Sequence, residues 1–211
     1  MKTAALVPFK RFTHAKQRLR ERFSDAQVES LGRAMLEDVL DALCHSSLER
    51  VSVLTDDPEV ASVARGAGAQ VRLRQPDPGL NPAIDDAEAE LFSDGYGASL
   101  VVLGDLPLLE PSHVERVLGT DPTIPVVIVP SCDGGTAMLL RRPPACMPSR
   151  FGKASAAAHL AEARARGLAV LELGELETQA RLDLDTPEDA ARLVQEGRQC
   201  RTRSLLEQYL R

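Results

Sequence analysis

Three aspartates stand where they could share a hard cation. Asp105 closes the apolar run of SLVVLGDLPLLEP (Ser99 to Pro111), and Asp183 and Asp185 lie two residues apart in RLDLDTPED (Arg181 to Asp189). If Leu182 to Asp185 is extended, the latter two carboxylates point to one side, and oxygen ligands of this kind suit Mg²⁺. Positive charge is concentrated elsewhere. The stretch KRFTHAKQRLRER carries Lys10, Arg11, Lys16, Arg18, Arg20 and Arg22 against the single acid Glu21. Several cations converging from one loop could cradle a polyphosphate, although the same run also suits a solvated basic patch. A P-loop is excluded, because no G-x-x-x-x-G-K-[ST] is present.

Two further stretches could hold an anion. Asp133-Gly134-Gly135-Thr136 allows close backbone approach and offers N–H and hydroxyl donors; a two-residue hairpin turn explains it equally. Phe151-Gly152 followed by Ser155 opens a helix, a natural place for a phosphate or carboxylate, with His159 one turn on from Ser155. No Ser-His-acid arrangement accompanies that histidine, which reads as a packing residue. Asn81, before Pro82, could read a base or ribose edge or serve as a helix N-cap.

The elements that must position these groups read as alternating strands and helices. Ser99 to Leu103 is uncharged and β-branch-rich, as in a strand buried on both faces, and Gly104-Asp105-Leu106-Pro107 stops it. In an open α/β sheet, ligands bind outside the carboxyl ends of the strands, which puts Asp105 at the expected crevice; the tetrapeptide also suits a plain strand-ending turn. Thr3 to Pro8, Arg50 to Thr55, Gln70 to Arg74, Ile124 to Val129, Ala137 to Leu140 and Ala169 to Leu173 read as further strands. Ser24 and Gln27 form a capping box ahead of a helix over Asp25 to Leu43. Asp57-Pro58, Asn81-Pro82, Pro111 and Thr186-Pro187 open others, and the turn-rich QPDPGL precedes Asn81. In this scheme Asp57 is a cap. The turn before Ala137 is too short for a crossover, so at least one strand is antiparallel.

Composition narrows the classes. The 211 residues are 44% hydrophobic, 27% charged and 3% aromatic, with no Trp and a net charge of −6. That describes one globular domain with an aliphatic core, without stacking platforms or the positive surface of a nucleic-acid binder. The four cysteines are scattered with no CxxC pair, and no apolar run reaches membrane-spanning length. Both suggest a cytoplasmic protein with no membrane association and no zinc site.

The ordered segments VPFKRFTHAKQRL, Leu80-Asn81, GDLPLL, GGTAMLL, FGKASAAAH and DLDTPEDAARL, spread from residue 7 to residue 193, resemble the CofC/FbiD guanylyltransferases of deazaflavin coenzyme F-420 biosynthesis. The resemblance implies the single-domain nucleotidyltransferase fold related to the GT-A glycosyltransferases. It implies transfer of GMP from GTP to a three-carbon phosphate acid, with pyrophosphate released. By position it implies Mg²⁺ on Asp105, Asp183 and Asp185, with Asp105, Lys16 and Arg18 central to catalysis. Lys10, Lys16 and Arg18 would contact the triphosphate, Pro8 would belong to the nucleotide site, and Asn81 would lie near the nucleoside. Thr136, Gly152 and Ser155 would bind the acceptor. Archaeal members resembling this chain usually have Asn after the Gly-Gly-Thr, where Ala137 stands here as in bacterial members. The expected acceptor is therefore phosphoenolpyruvate, with 2-phospho-L-lactate and 3-phosphoglycerate as alternatives.

Two other readings compete. A transferase acting on molybdopterin or a sugar phosphate would be expected to carry a G-x-G-x-R type loop after its first strand, which VPFK lacks. A non-catalytic nucleotide-binding protein would not need all three carboxylates. The expected architecture is one three-layer αβα domain over residues 1–211 with a mixed, mostly parallel sheet, as a monomer or homodimer. Residues 199–211 should form a terminal helix that docks on the body or on a partner.

Overall fold

In the computed structural model, residues 1–12, 16–73, 79–176 and 178–211 are described. A single seven-stranded sheet carries the chain. Its strands are β1 (Thr3–Pro8), β2 (Arg50–Thr55), β3 (Gln70–Leu73), β4 (Ala98–Val102), β5 (Val126–Pro130), β6 (Thr136–Arg141) and β7 (Val170–Glu172), in the order β3-β2-β1-β4-β6-β5-β7. All neighbours are parallel except that β6 runs antiparallel to both β4 and β5. The expected end of the third strand at Arg74, and most of the QPDPGL turn, lie outside the described residues.

Helices cover both faces, and strand alternation sorts the cores. From β1, Ala5 and Val7 point into one core with α1 (Asp25–Cys44), α2 (Pro58–Gly66) and α4 (Pro111–Leu118). Ala4 and Leu6 point into the opposite core with α3 (Leu80–Ser93) and α5 (Ser155–Ala165). The three-layer αβα fold follows. A third cluster lies beyond the sheet. There Leu19 and Phe23 meet Val28, Leu31 and Met35 of α1, Leu108, the Leu182 and Leu184 pair, Leu193 of α7 (Pro187–Glu196) and Leu206 of α8 (Arg201–Tyr209).

Local chemistry sets most helix ends. Ser24 and Gln27 form the capping box of α1, Asp57 accepts from the Glu59 and Val60 amides at the start of α2, and Thr186 and Asp189 box α7. Two expectations, for Asn81 and for the turn between β5 and β6, are corrected. Helix α3 begins at Leu80 with Gly79, at φ +92°, in the N-cap position, so Asn81 lies inside the first turn and caps nothing. The chain between β5 and β6 is a five-residue loop, Ser131 to Gly135, closed by Ser131 N–H to Gly135 C=O at 3.0 Å, rather than a two-residue turn. A four-residue α6 (Thr178–Arg181) precedes the Asp-x-Asp, which runs on as irregular chain with no ladder partner. The terminal helix docks on the body: buried Asp38 of α1 accepts from the backbone N–H of Arg201 (3.1 Å) and Thr202 (2.9 Å) and from the Thr202 hydroxyl. No helix among the described residues is long and apolar enough to cross a membrane.

Candidate active site

The order β2-β1-β4 makes β1 the place where the chain reverses its direction of growth across the sheet, and a crevice opens beyond the carboxyl ends of these strands. A cavity of about 350 Å³ lies there. Pro8, Thr55 and Gly104 bring the strand ends to it, Leu80 brings the start of α3, and Lys10, Lys16, Asp56, Asp105 and Asp185 bring charge. Gly104 is required by packing: a Cβ there would stand 2.4 Å from Cδ2 of Phe9, whose ring forms part of the wall.

Lys16 ties the charged groups together. Its Nζ lies 2.6 Å from Oδ2 of Asp105 and 3.3 Å from Oδ1 of Asp185, and the Arg18 guanidinium stands 3.6 Å from the other oxygen of Asp185. Burial works to lower the Lys16 pKa, but the Asp105 carboxylate, with Asp185 and Asp183 behind it, outweighs burial and raises it, so the ammonium stays charged. The left-handed backbone of Lys16 (φ 58°) turns the chain into a short 3-10 helix, Gln17–Glu21, anchored by fully buried Leu19.

The Asp-x-Asp reaches the same corner because Leu182 and Leu184 are buried while Asp183 and Asp185 alternate outward, and because the Leu184 N–H bonds the Asp105 carbonyl at 3.1 Å. Burial first, then the charges of Asp105 and Asp133, push Asp183 up to about 6. Asp133 is a fourth carboxylate that spacing did not single out; its hydrogen bonds from Ser131 and the Gly135 N–H hold it below its usual range. Oδ1 of Asp105 is buried with no hydrogen-bond partner among the described residues. Among those residues, no three histidine, cysteine, aspartate or glutamate side chains are gathered closely enough to hold a metal by themselves. Mg²⁺ needs less: one or two carboxylates, with water and substrate phosphates supplying the other oxygens. An orphaned carboxylate oxygen beside an aspartate that resists ionisation fits such a cation.

Thr136, Gly152 and Ser155 also come together, at the start of β6 and of α5. Ser155 Oγ donates to Thr136 Oγ1 at 3.0 Å, and Nδ1 of His159 lies 3.0 Å from the same oxygen. The Arg150 N–H donates to Nε2 of His159 at 2.9 Å, which leaves the ring proton on Nδ1, facing Thr136. All three side chains are buried, so His159 is a satisfied packing residue, as its lack of a triad suggested. Gly152 has φ +142°, a conformation other residues rarely adopt.

Two expected positions fall differently. Arg18 is largely exposed and reaches the site through Asp185 rather than as part of the cavity wall. Asn81 is not part of that wall: its Oδ1 accepts the Phe151 N–H at 2.7 Å and its Nδ2 donates to the Phe151 carbonyl at 3.0 Å. Asp56, just before the Asp57 cap, faces the cavity and pairs with Arg11 at 3.1 Å.

Comparison with known proteins shows the family and the fold. The family described as "Guanylyl transferase CofC like" matches residues 3–211. The phosphoenolpyruvate guanylyltransferase of Rubrobacter xylanophilus is 39% identical, over 93% of this chain and 96% of that protein. The 2-phospho-L-lactate guanylyltransferase of Methanothermobacter thermautotrophicus is 34% identical over 98% and 90%. The 3-phospho-D-glycerate guanylyltransferase of Phenylobacterium zucineum is 40% identical over 85% and 84%. Among solved structures, a protein of Desulfovibrio desulfuricans G20 described as a nucleotide-diphospho-sugar transferase superposes with a TM-score of 0.82 at 21% identity, covering 99% of this chain and 95% of that one, which establishes the shared fold. With a match that runs from the first strand to the last residue, the chain is a nucleotidyltransferase and belongs to the CofC-like guanylyl transferase family.

Proposed function

We propose that the protein transfers GMP from GTP to a three-carbon phosphate acid, phosphoenolpyruvate first among them, and releases pyrophosphate, in a Mg²⁺-dependent step of coenzyme F-420 biosynthesis in the cytoplasm. The observation that carries this reading is the Lys16 ammonium held between Asp105 and Asp185 at the rim of a cavity on the β1 and β4 ends. Such a site pairs a cation for phosphate with carboxylates for a metal.

In this reading Pro8, Lys10, Lys16 and Arg18 meet the nucleotide, with the nucleoside in the cavity. Asp105, Asp183 and Asp185 would hold Mg²⁺, which when bound offsets charge on the triphosphate. Thr136, Gly152 and Ser155 receive the acceptor. An acceptor phosphate oxygen forms the new bond to the α-phosphorus while the bond from that phosphorus to the bridging β-oxygen breaks, and pyrophosphate leaves with the electron pair. Lys16 and Arg18 stabilise charge building on the departing phosphates. No protein nucleophile is needed; positioning in line lowers most of the barrier.

Pyrophosphate release with GTP and Mg²⁺, measured in parallel with phosphoenolpyruvate, 2-phospho-L-lactate and 3-phosphoglycerate, tests the reading. Turnover with one acceptor, reduced about 100-fold or more by Asp105→Asn, is expected. Undiminished turnover in that variant would remove the metal assignment, and silence with all three acceptors would remove the function.

A further inference from the structure

The segment from Arg142 to Ala154, between β6 and α5, contains no α-helix or β-strand, so its backbone groups need partners from elsewhere. One face of α3 supplies several. Asn81, Asp85 and Glu88, four and three residues apart, share that face. Glu88 accepts the Ala145 N–H at 2.9 Å, Asp85 accepts the Ser149 N–H at 2.9 Å, and Asn81 bonds both backbone groups of Phe151. The far end of this row is immobilised: fully buried Glu88 is paired with fully buried Arg141 at 2.8 Å, and Arg141 in turn donates to the Met147 carbonyl at 2.8 Å and to Ser149 Oγ at 3.0 Å.

Asn81 occupies the end of the row nearest the cavity, whose wall includes its chain neighbour Leu80. It holds the residue immediately before Gly152. An amide suits this task because it offers one acceptor and one donor to the N–H and C=O of a single residue, as a neighbouring strand would. The Phe151 ring stacks edge-on against His159 with centroids 4.8 Å apart, and His159 contacts Thr136. The bonds made by Asn81 therefore fix Phe151 relative to Thr136, Gly152 and Ser155 together.

We infer that Asn81 is a positioning residue for the acceptor, setting where the Gly152 to Ser155 turn stands relative to the nucleotide cavity, and that it makes no contact with the nucleotide. The inference rests on the reading of Thr136, Gly152 and Ser155 as the acceptor site. Asn81→Ala leaves both Phe151 groups without their partner. Asn81→Asp keeps an acceptor for the N–H but sets a carboxylate against the carbonyl, and it guards against simple misfolding of the alanine variant.

The test measures kcat, the KM for the acceptor, the Kd for GTP without acceptor, and amide exchange at Phe151 in the ligand-free protein. Asn81→Ala is expected to raise the acceptor KM about 10-fold or more, as misplacement near a reacting group does. GTP affinity should stay within about 2-fold, and exchange at Phe151 should accelerate; Asn81→Asp should fall between the two proteins. Weaker GTP binding with an unchanged acceptor KM would overturn the inference, as would faster Phe151 exchange with no change in acceptor KM. An inactive wild-type protein with all three acceptors would overturn the acceptor reading and the inference with it. Active wild type with an indifferent Asn81→Ala overturns the inference alone.

Discussion

At the scale of single residues, the buried contacts of His159 have a consequence for stability. Burial, with the charges of Arg141 and Arg150 nearby, lowers its pKa to about 4 from the ordinary 6.5. The folded protein thus resists protonating a group that the unfolded chain protonates readily. The associated stability is complete above pH 6.5 and is lost as pH falls from 6.5 towards 4, by about 3 kcal/mol in all. His159→Gln should flatten that part of the curve, and urea unfolding midpoints of both proteins across pH 4 to 7 will show it; parallel curves would mean that other groups set the slope. Ala137 illustrates a different limit. The residue that set the expected acceptor apart is fully buried in the main core, so its side chain acts through packing rather than as a wall of the site. The Asp-x-Asp spacing was legible because alternation is a local property. Asp133 was not, because its closeness to Asp183 arises from a hairpin loop meeting a segment about fifty residues further on.

Among the elements, the joint between β1 and β4 is the most demanding. The Phe9 ring leaves no space for a Cβ at Gly104, so Gly104→Ala must displace the ring or the chain that follows β4. Overpacking of this kind costs about 1 to 3 kcal/mol. Phe9 belongs to the cavity wall and Asp105 follows Gly104, so nucleotide affinity should fall along with the melting temperature. Calorimetric titration with GTP beside thermal melts measures both; a variant that melts lower yet binds GTP normally would separate this packing from the site. Strands and capped helices were legible because period-two burial and capping boxes are written over a few residues. The first turn of α3 was not. Asn81-Pro82 has the composition of a cap, yet the Asn81 amide is claimed by Phe151, seventy positions away, and local pattern carries no record of such a contact.

For the whole molecule, the third apolar cluster matters most. It gathers Leu19 beside Arg18, Leu108 just beyond Asp105, and Leu182 and Leu184 flanking Asp183, and it packs them on Met35 of α1 and Leu206 of α8. Residues brought from three distant parts of the sequence thus share one support, closed from outside by the terminal helix that Asp38 anchors. Deleting residues 199–211 exposes this cluster and is expected to lower kcat along with the melting temperature. Asp38→Ala, which takes the acceptor from the Arg201 and Thr202 N–H groups and the buried Thr202 hydroxyl and breaks the pair with the Arg201 guanidinium, should cost about 1 to 3 kcal/mol and leave kcat nearly unchanged. Thermal melts and steady-state rates on the two variants distinguish them, and full activity in the deletion would show that the site does not lean on α8.

The antiparallel course of β6 bears on inheritance. Since β6 runs antiparallel and starts at the sheet edge where β4 and β5 finish, the loop from Ser131 to Gly135, Thr136 and the Gly152 to Ser155 turn all arrive within one uninterrupted stretch of about twenty-five residues. The strands and helices that build the cavity at the β1 and β4 ends lie almost entirely ahead of it in the chain. If the proposed division of the site holds, such an arrangement lets a lineage revise the acceptor's half as a block while the nucleotide's half is passed on intact, provided the matching row on α3 changes in step. The relatives named for three different acceptors are each similar to this chain over most of its length.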